Sequence, residues 1–276
     1  MNRKTVILAY NAAVIVPLVA VSLVSTIMGT PIIATVPGLI GTIILLIACL
    51  LMVHTTLRRK MSDSTTKLVD AYDLHCDPEA LTTGGGKLAY NIMQAREQGD
   101  KLGPGDAWFL CYYALASIDT GEASSAEKIA AAVLEDSQDQ KKFADQANML
   151  VNLEPLVLRL RGAQDALSLL VKAEELIEYD TSGAAQQLKG YIGFERPILQ
   201  ALVDGDQDTL LEKFTAVMHS ENQPLRIRVL DADAAASIYR QRGDESSELE
   251  ALHFVELYAN KLPVAQTAAA RLEEIF

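Results

Sequence analysis

The chain has 276 residues, half of them hydrophobic, and a formal net charge of −12 from 24 Lys and Arg against 36 Asp and Glu. Every acid lies beyond residue 60, so residues 61–276 set 19 basic against 36 acidic side chains, a net charge of −17. A surface of that sign repels nucleic-acid phosphates and an anionic leaflet, which excludes nucleic acid as a partner and favours a basic protein surface.

In chain order, the first element is an apolar one. No formal charge lies between Lys4 and Arg58, which leaves 53 uncharged residues, Thr5–Leu57. A bilayer span takes roughly 20 residues, so the stretch has room for two. Gly29, Thr30 and Pro31 break it near the middle. Spans are therefore predicted over about 5–28 and 32–54, forming a transmembrane hairpin within residues 1–60. Arg3 and Lys4 precede the first span, and Arg58, Arg59 and Lys60 follow the second. The positive-inside rule places both termini and the remaining region on the cytoplasmic side of the cell membrane, as expected of a multi-pass protein.

A cleaved signal peptide has an apolar core of roughly 7–15 residues, far shorter than this one. Leu46-Ile47-Ala48-Cys49 resembles a lipobox, but Leu50–Val53 carry the apolar run past the cysteine. Cys49 then reads as a small apolar thiol inside a membrane helix. Asn11, Pro17, Pro37, Gly38 and Gly41 interrupt the spans, yet no Asp, Glu, Lys or Arg does. Intramembrane charge is the usual mark of a pore or relay, so the hairpin reads as an anchor in the lipid bilayer.

Residues 61–276 read as all-α. Met61–Thr65 suggests a short polar linker, and a helix follows over about 66–76. Asp77-Pro78-Glu79 supplies a capping acid, a proline at the first helical position and an acid in the first turn. Thr82–Gly86 is expected to interrupt that helix, which resumes over Lys87–Gln98. Cys76 and Cys111 have no motif spacing and suggest reduced thiols.

From about residue 100 one unit recurs four times: a helix, a glycine turn and a helix with an apolar stripe. First helices are predicted over about 106–119, 140–160, 185–203 and 225–241, with the turns at Gly121, Gly162, Gly205 and Gly243. The stripes after the turns have helical period. They are Ala126, Ile129, Ala130, Val133 and Leu134; Ala166, Leu169, Leu170, Ala173, Leu176 and Ile177; Leu210, Leu211, Phe214, Val217 and Met218; and Ala251, Leu252, Val255, Tyr258 and Ala259. Helix pairs at a period near 40 indicate an α-solenoid. Pro155 and Pro197 fall inside two first helices and are expected to bend or break them.

Gly121, Ala126, Ala130 and Val133 keep the spacing of a turn glycine followed by small, large and small positions, and Gly205, Leu210, Phe214 and Val217 resemble it. Ala166, Leu170 and Ala173 keep its later part, and Gly243, Glu248, Leu252 and Val255 follow it loosely. Ala114 and Ala236 supply the small residue of the first helix, where Glu154 and Ile198 stand in the other two units. Over about residues 100–260 the chain resembles the tetratricopeptide-repeat-like helical superfamily, whose period is roughly 34. The resemblance implies stacked helix pairs that bind protein.

Chemical motifs are lacking. Gly84-Gly85-Gly86-Lys87 suggests a phosphate loop, but Leu81 and Leu88 stand where that motif needs Gly and Ser or Thr. His75, Cys76 and Asp77 are sequence neighbours and do not face one point, so no metal site is expected. No nucleophile elbow and no cofactor motif occurs, so an enzyme is not expected. Two groups are candidates for partner binding. Trp108 and Tyr112, with Phe109 and Tyr113, crowd one helix and could line a groove, although aromatics at helical spacing are usually core. Arg226, Arg228, Arg240 and Arg242 stand in an acidic region and could clamp a carboxylate of a partner, or pair with nearby Asp231, Asp233 and Asp244.

The expected function is a membrane-anchored helical-repeat scaffold binding an unidentified protein at the cytoplasmic face. The alternative is a regulatory or assembly subunit of a membrane enzyme or transporter, with the hairpin contacting the partner.

Overall fold

Residues 63–275 are described by a computed structural model. The chain divides into two units, Met1–Thr66 and Lys67–Phe276. Both predicted spans lie outside the described residues. Among the described residues, no helix is long and apolar enough to cross a membrane.

The regular structure of the described residues is helical throughout. Helix α1 covers 63–75, so the polar residues 63–65 belong to a helix rather than to a linker. Then come α2 (Pro78–Glu97), α3 (Pro104–Asp119), α4 (Ala126–Gln138), α5 (Phe143–Arg161), α6 (Ala163–Ile177), α7 (Gly183–Asp204), α8 (Gln207–Met218), α9 (Leu225–Arg242), α10 (Glu245–Tyr258) and α11 (Pro263–Ile275).

The dipeptides Gly205-Asp206 and Gly243-Asp244 show how one sequence step ends a helix and begins the next. Gly205 (φ 69°, ψ 25°) and Gly243 (φ 73°, ψ 20°) are left-handed. That turn lets the Asp206 and Asp244 amides donate back to the Ala201 and Tyr239 carbonyls. The same two aspartates then accept from amides in the first turns of α8 and α10. The stripes that follow are buried, apart from half-buried Leu134, Leu169, Leu176 and Leu211 and exposed Tyr258. From α2 on, each helix packs on its successor, and α3 on α5, α5 on α7 and α9 on α11 continue the stack.

One expectation is corrected, and the breaking of α5 or α7 at proline is excluded. Residues Thr82–Gly86 do not interrupt α2, which is one helix of 20 residues. A methyl group on Gly84 would stand 2.5 Å from Leu68 Cδ2, one on Gly85 3.1 Å from Phe109 Cζ, and one on Gly86 3.5 Å from the Tyr113 hydroxyl. Glycine weakens a helix by roughly 1 kcal/mol relative to alanine. Here it lets α1 and α3 approach the α2 backbone. Neither Pro155 nor Pro197 ends its helix.

The array also returns on itself. The Lys261 amide donates to the Cys76 carbonyl at 3.2 Å, and Asn260 Nδ2 donates to the His75 carbonyl at 2.8 Å. Lys261 Nζ lies 3.0 Å from both Asp77 and Glu79. Cys76 (φ 52°) and Asn260 (φ 48°) are left-handed non-glycine residues at this junction. Such a backbone costs roughly 1–2 kcal/mol per residue, and the contacts across the junction offset it.

The glycine contacts make opposite predictions. Gly85→Leu lowers unfolding stability by about 1–3 kcal/mol, because Phe109 has no room to retreat. Gly190→Ala, at an exposed site of α7 with nothing within 4 Å, raises it by about 0.5–1 kcal/mol. Denaturant titration of the purified variants measures both; an unchanged Gly85→Leu midpoint would refute the tight α2–α3 crossing.

Candidate functional site

Helices α3, α5, α7 and α9, the first of each pair, carry a connected set of polar side chains. Tyr112 and Asp119 come from α3, Glu154 and Arg159 from α5, Tyr191 and Glu195 from α7, and Arg226 and Asp231 from α9. The apolar stripes of α4, α6, α8 and α10 fill the core behind them.

Arg226 is the centre of the set and is only 4% exposed. Its Nε donates to Asp73 Oδ1 at 2.8 Å, joining α9 to α1. Its guanidinium carbon stands 4.7 Å from the Tyr72 ring centroid and 5.7 Å from that of Tyr112. The Tyr112 hydroxyl donates to the other Asp73 oxygen at 2.9 Å. Tyr72 donates to Asp119 Oδ2 at 2.5 Å, and Arg159 Nη2 donates to Asp119 Oδ1 at 2.9 Å. Burial pushes the Tyr72 and Tyr112 hydroxyls well above the ordinary tyrosine range, so both stay protonated donors.

Next to this cluster lie three carboxyls without a cationic hydrogen-bond partner of their own. Burial, with Glu195 nearby, raises Glu154 to about 8, while the Tyr191 hydroxyl that donates to Glu154 Oε2 at 3.1 Å works against the rise. Burial raises Glu195 to about 7. Asp231 is raised to about 8 by burial and by Glu195, against a lowering by Arg226. The carboxyls thus hold protons near neutral pH. Cys76 and Cys111 are buried, and burial pushes their thiols up to about 11 and about 12. Among the described residues, no group of three or more His, Cys, Asp or Glu side chains is placed to hold a metal ion.

The predicted site residues do not form one patch. Arg226 lies in the buried cluster, and Arg228 Nε donates to the Met218 carbonyl with its guanidinium 5.2 Å from the Phe254 ring centroid. Arg240 pairs with Glu274 at 2.9 Å and Arg242 with Asp208 at 2.7 Å. The acids hydrogen-bonded to these arginines are therefore not Asp231, Asp233 and Asp244. Asp73 lies 153 residues from Arg226, and the acids of Arg240 and Arg242 lie 34 residues off, as Glu127 does from Arg161, while Asp119 is 40 from Arg159. An external carboxylate would have to displace an internal partner at each arginine. Trp108 packs on Tyr112 with ring centroids 5.5 Å apart, and Phe109 is buried. The surface that Tyr112 offers is occupied by Asp73 of the chain's own α1.

Sequence reasoning missed Tyr72, Asp73, Tyr191, Glu195 and the role of Glu154. One signal was available: Glu154 stands where the repeat pattern calls for a small residue, in the apolar run Met149–Val157. An acid at such a position is buried at a cost and is a candidate for a polar site. The contact of Asp73 with Arg226 spans 153 residues and leaves no local pattern. No protein-family model, curated protein or solved structure matches the chain.

The raised carboxyls predict a pH dependence. Unfolded carboxyls titrate near pH 4, so from there to about pH 8 the folded protein binds more protons than the unfolded chain. Their contribution to stability is full below that window and is lost as pH rises through it. Glu154→Gln mimics the protonated acid and cannot ionise. It should raise the melting temperature at pH 8.5 by several degrees and change it by less than about 2 °C at pH 5. Equal shifts at both pH values would show that Glu154 is ionised in the folded protein.

Proposed function

We propose that the chain is a membrane-anchored scaffold: a two-span hairpin over about 5–28 and 32–54 holds a tetratricopeptide-repeat-like array at the cytoplasmic face of the cell membrane, where the array binds protein. The observation that carries this reading is the polar, aromatic set shared by α3, α5, α7 and α9, which already receives one helix, α1. Stacked helix pairs offer such faces to ligands. Tyrosine and arginine, enriched where protein interfaces concentrate their energy, are the residues found there. The charge of −17 on residues 61–276 favours a basic partner and speeds its approach.

A regulatory or assembly subunit of a membrane enzyme or transporter is the second reading. Gly38 and Gly41, small residues that permit close helix packing within the bilayer, favour it.

Crosslinking in native membranes, followed by identification of the attached proteins, tests both. A scaffold keeps its partner when the hairpin is replaced by an unrelated two-span anchor, whereas a hairpin-docked subunit loses it. Recovering no partner with either anchor would overturn both readings. Sidedness needs an exposed thiol, because Cys76 and Cys111 are buried. Ser246→Cys, exposed in the first turn of α10, should take up a membrane-impermeant maleimide at residue 246 only after the cells are opened. Labelling in sealed cells would place the array outside.

A further inference from the structure

We propose that the surface of α3 and α9 that receives α1 is a helix-binding groove, that α1 fills it in cis as a releasable strap, and that α1 stands in for a partner helix carrying a tyrosine followed directly by an acid.

Three observations lead there. First, α1 gives fewer apolar side chains to the core than its neighbours do. It buries Val69 and Tyr72, with Leu68 packed against the core, whereas α5 buries Ala147, Met149, Leu150, Val151, Leu153, Leu156 and Val157. Elements with few buried apolar contacts open locally at far lower free energy than the core. Second, α1 is held by side-chain recognition. Asp73 meets Arg226 and Tyr112, and Tyr72 meets Asp119 while lying under the Arg226 guanidinium. A buried charge pair adds little net stability but fixes which groups meet, and this is the chemistry of a binding surface. Third, the strap has a pinned hinge. Lys261 and Asn260 hold His75, Cys76 and Asp77 in place. Cys76, left-handed at φ 52°, is the link between α1 and α2. The junction holds the C-terminal end of α1, through His75 and the Asp77 amide bond to the Ala71 carbonyl, so α1 swings from this end when it leaves the groove.

A ligand helix for this groove must bring a carboxylate to Arg226 and Tyr112, and a hydroxyl to Asp119 one residue earlier. The inference rests on the scaffold reading for its external ligand alone. The groove and its strap are read by experiments that need no recovered partner.

Hydrogen exchange on the full-length protein in detergent micelles is the test, with the α1 sequence, residues 63–77, as the added peptide. In the unaltered protein, amides of 67–75 should exchange as a block at least about tenfold faster than those of α5. Asp73→Asn should speed 67–75 by a further factor of about ten and leave α5 unchanged. The peptide should then bind Asp73→Asn saturably and fail to bind the variant that also carries Arg226→Gln. If Asp73→Asn does not fold, Tyr72→Phe, which loses the hydroxyl bond to Asp119 and leaves the groove residues unchanged, takes its place. Protection of α1 equal to that of α5, or no peptide binding to the loosened protein, would overturn the proposal. Dimers of the loosened protein that exchange α1 would assign the groove to a second copy instead and overturn the partner helix.

Discussion

The contact between Arg226 and Asp73 is the constraint on which the arrangement depends. Both side chains are almost removed from water, at 5% and 12% exposure. Desolvating two charges costs several kcal/mol each, and attraction offsets that only where the remaining donors and acceptors are satisfied. Here the second Asp73 oxygen takes the Tyr112 hydroxyl, and the guanidinium face rests on Tyr72. Removing one partner would strand a buried charge at a cost of roughly 3–5 kcal/mol. The pair therefore specifies how α1 meets α9 more than it stabilises the fold, and the contacts of Asn260 and Lys261 with residues 75–79 close the chain onto its own beginning separately.

Elsewhere the charges act between helix pairs. An acidic chain stacked in layers faces self-repulsion, and its few arginines reach the layer before or after their own. The separations of 34 residues at Arg161–Glu127, Arg240–Glu274 and Arg242–Asp208 place these links at one step of the stack. Each is exposed and worth at most about 1 kcal/mol. Their recurrence at one spacing ties successive helix pairs together at equivalent points.

This separates what was legible in the sequence from what was not. Helix pairs, turn glycines and buried stripes were legible because each depends on residues within one turn or one helix face. Gly205-Asp206 carries both a helix end and a helix start in two letters. The triglycine was misread because the local cost of glycine in a helix is visible in sequence, whereas the close approach of Leu68 and Phe109 that compensates it is not. The arginines were misassigned for the same reason: neighbours in sequence suggested Asp231, Asp233 and Asp244, but the acids bonded to Arg240 and Arg242 sit 34 residues away and that of Arg226 sits 153 away. The acid at Glu154 was legible as an exception to the repeat, and its meaning required knowing that Tyr191 and Glu195 face it.

On the proposed reading, the way α1 is held gives the strap a consequence. Population-shift reasoning sets the requirement: the state with α1 released must bind its ligand more tightly than the closed state by as much as the clasp favours closure. A clasp made of one desolvated charge pair and two tyrosine hydroxyls, with little apolar burial, keeps that difference within reach of a single bound helix. A strap seated like α5 in the core could not be displaced in this way.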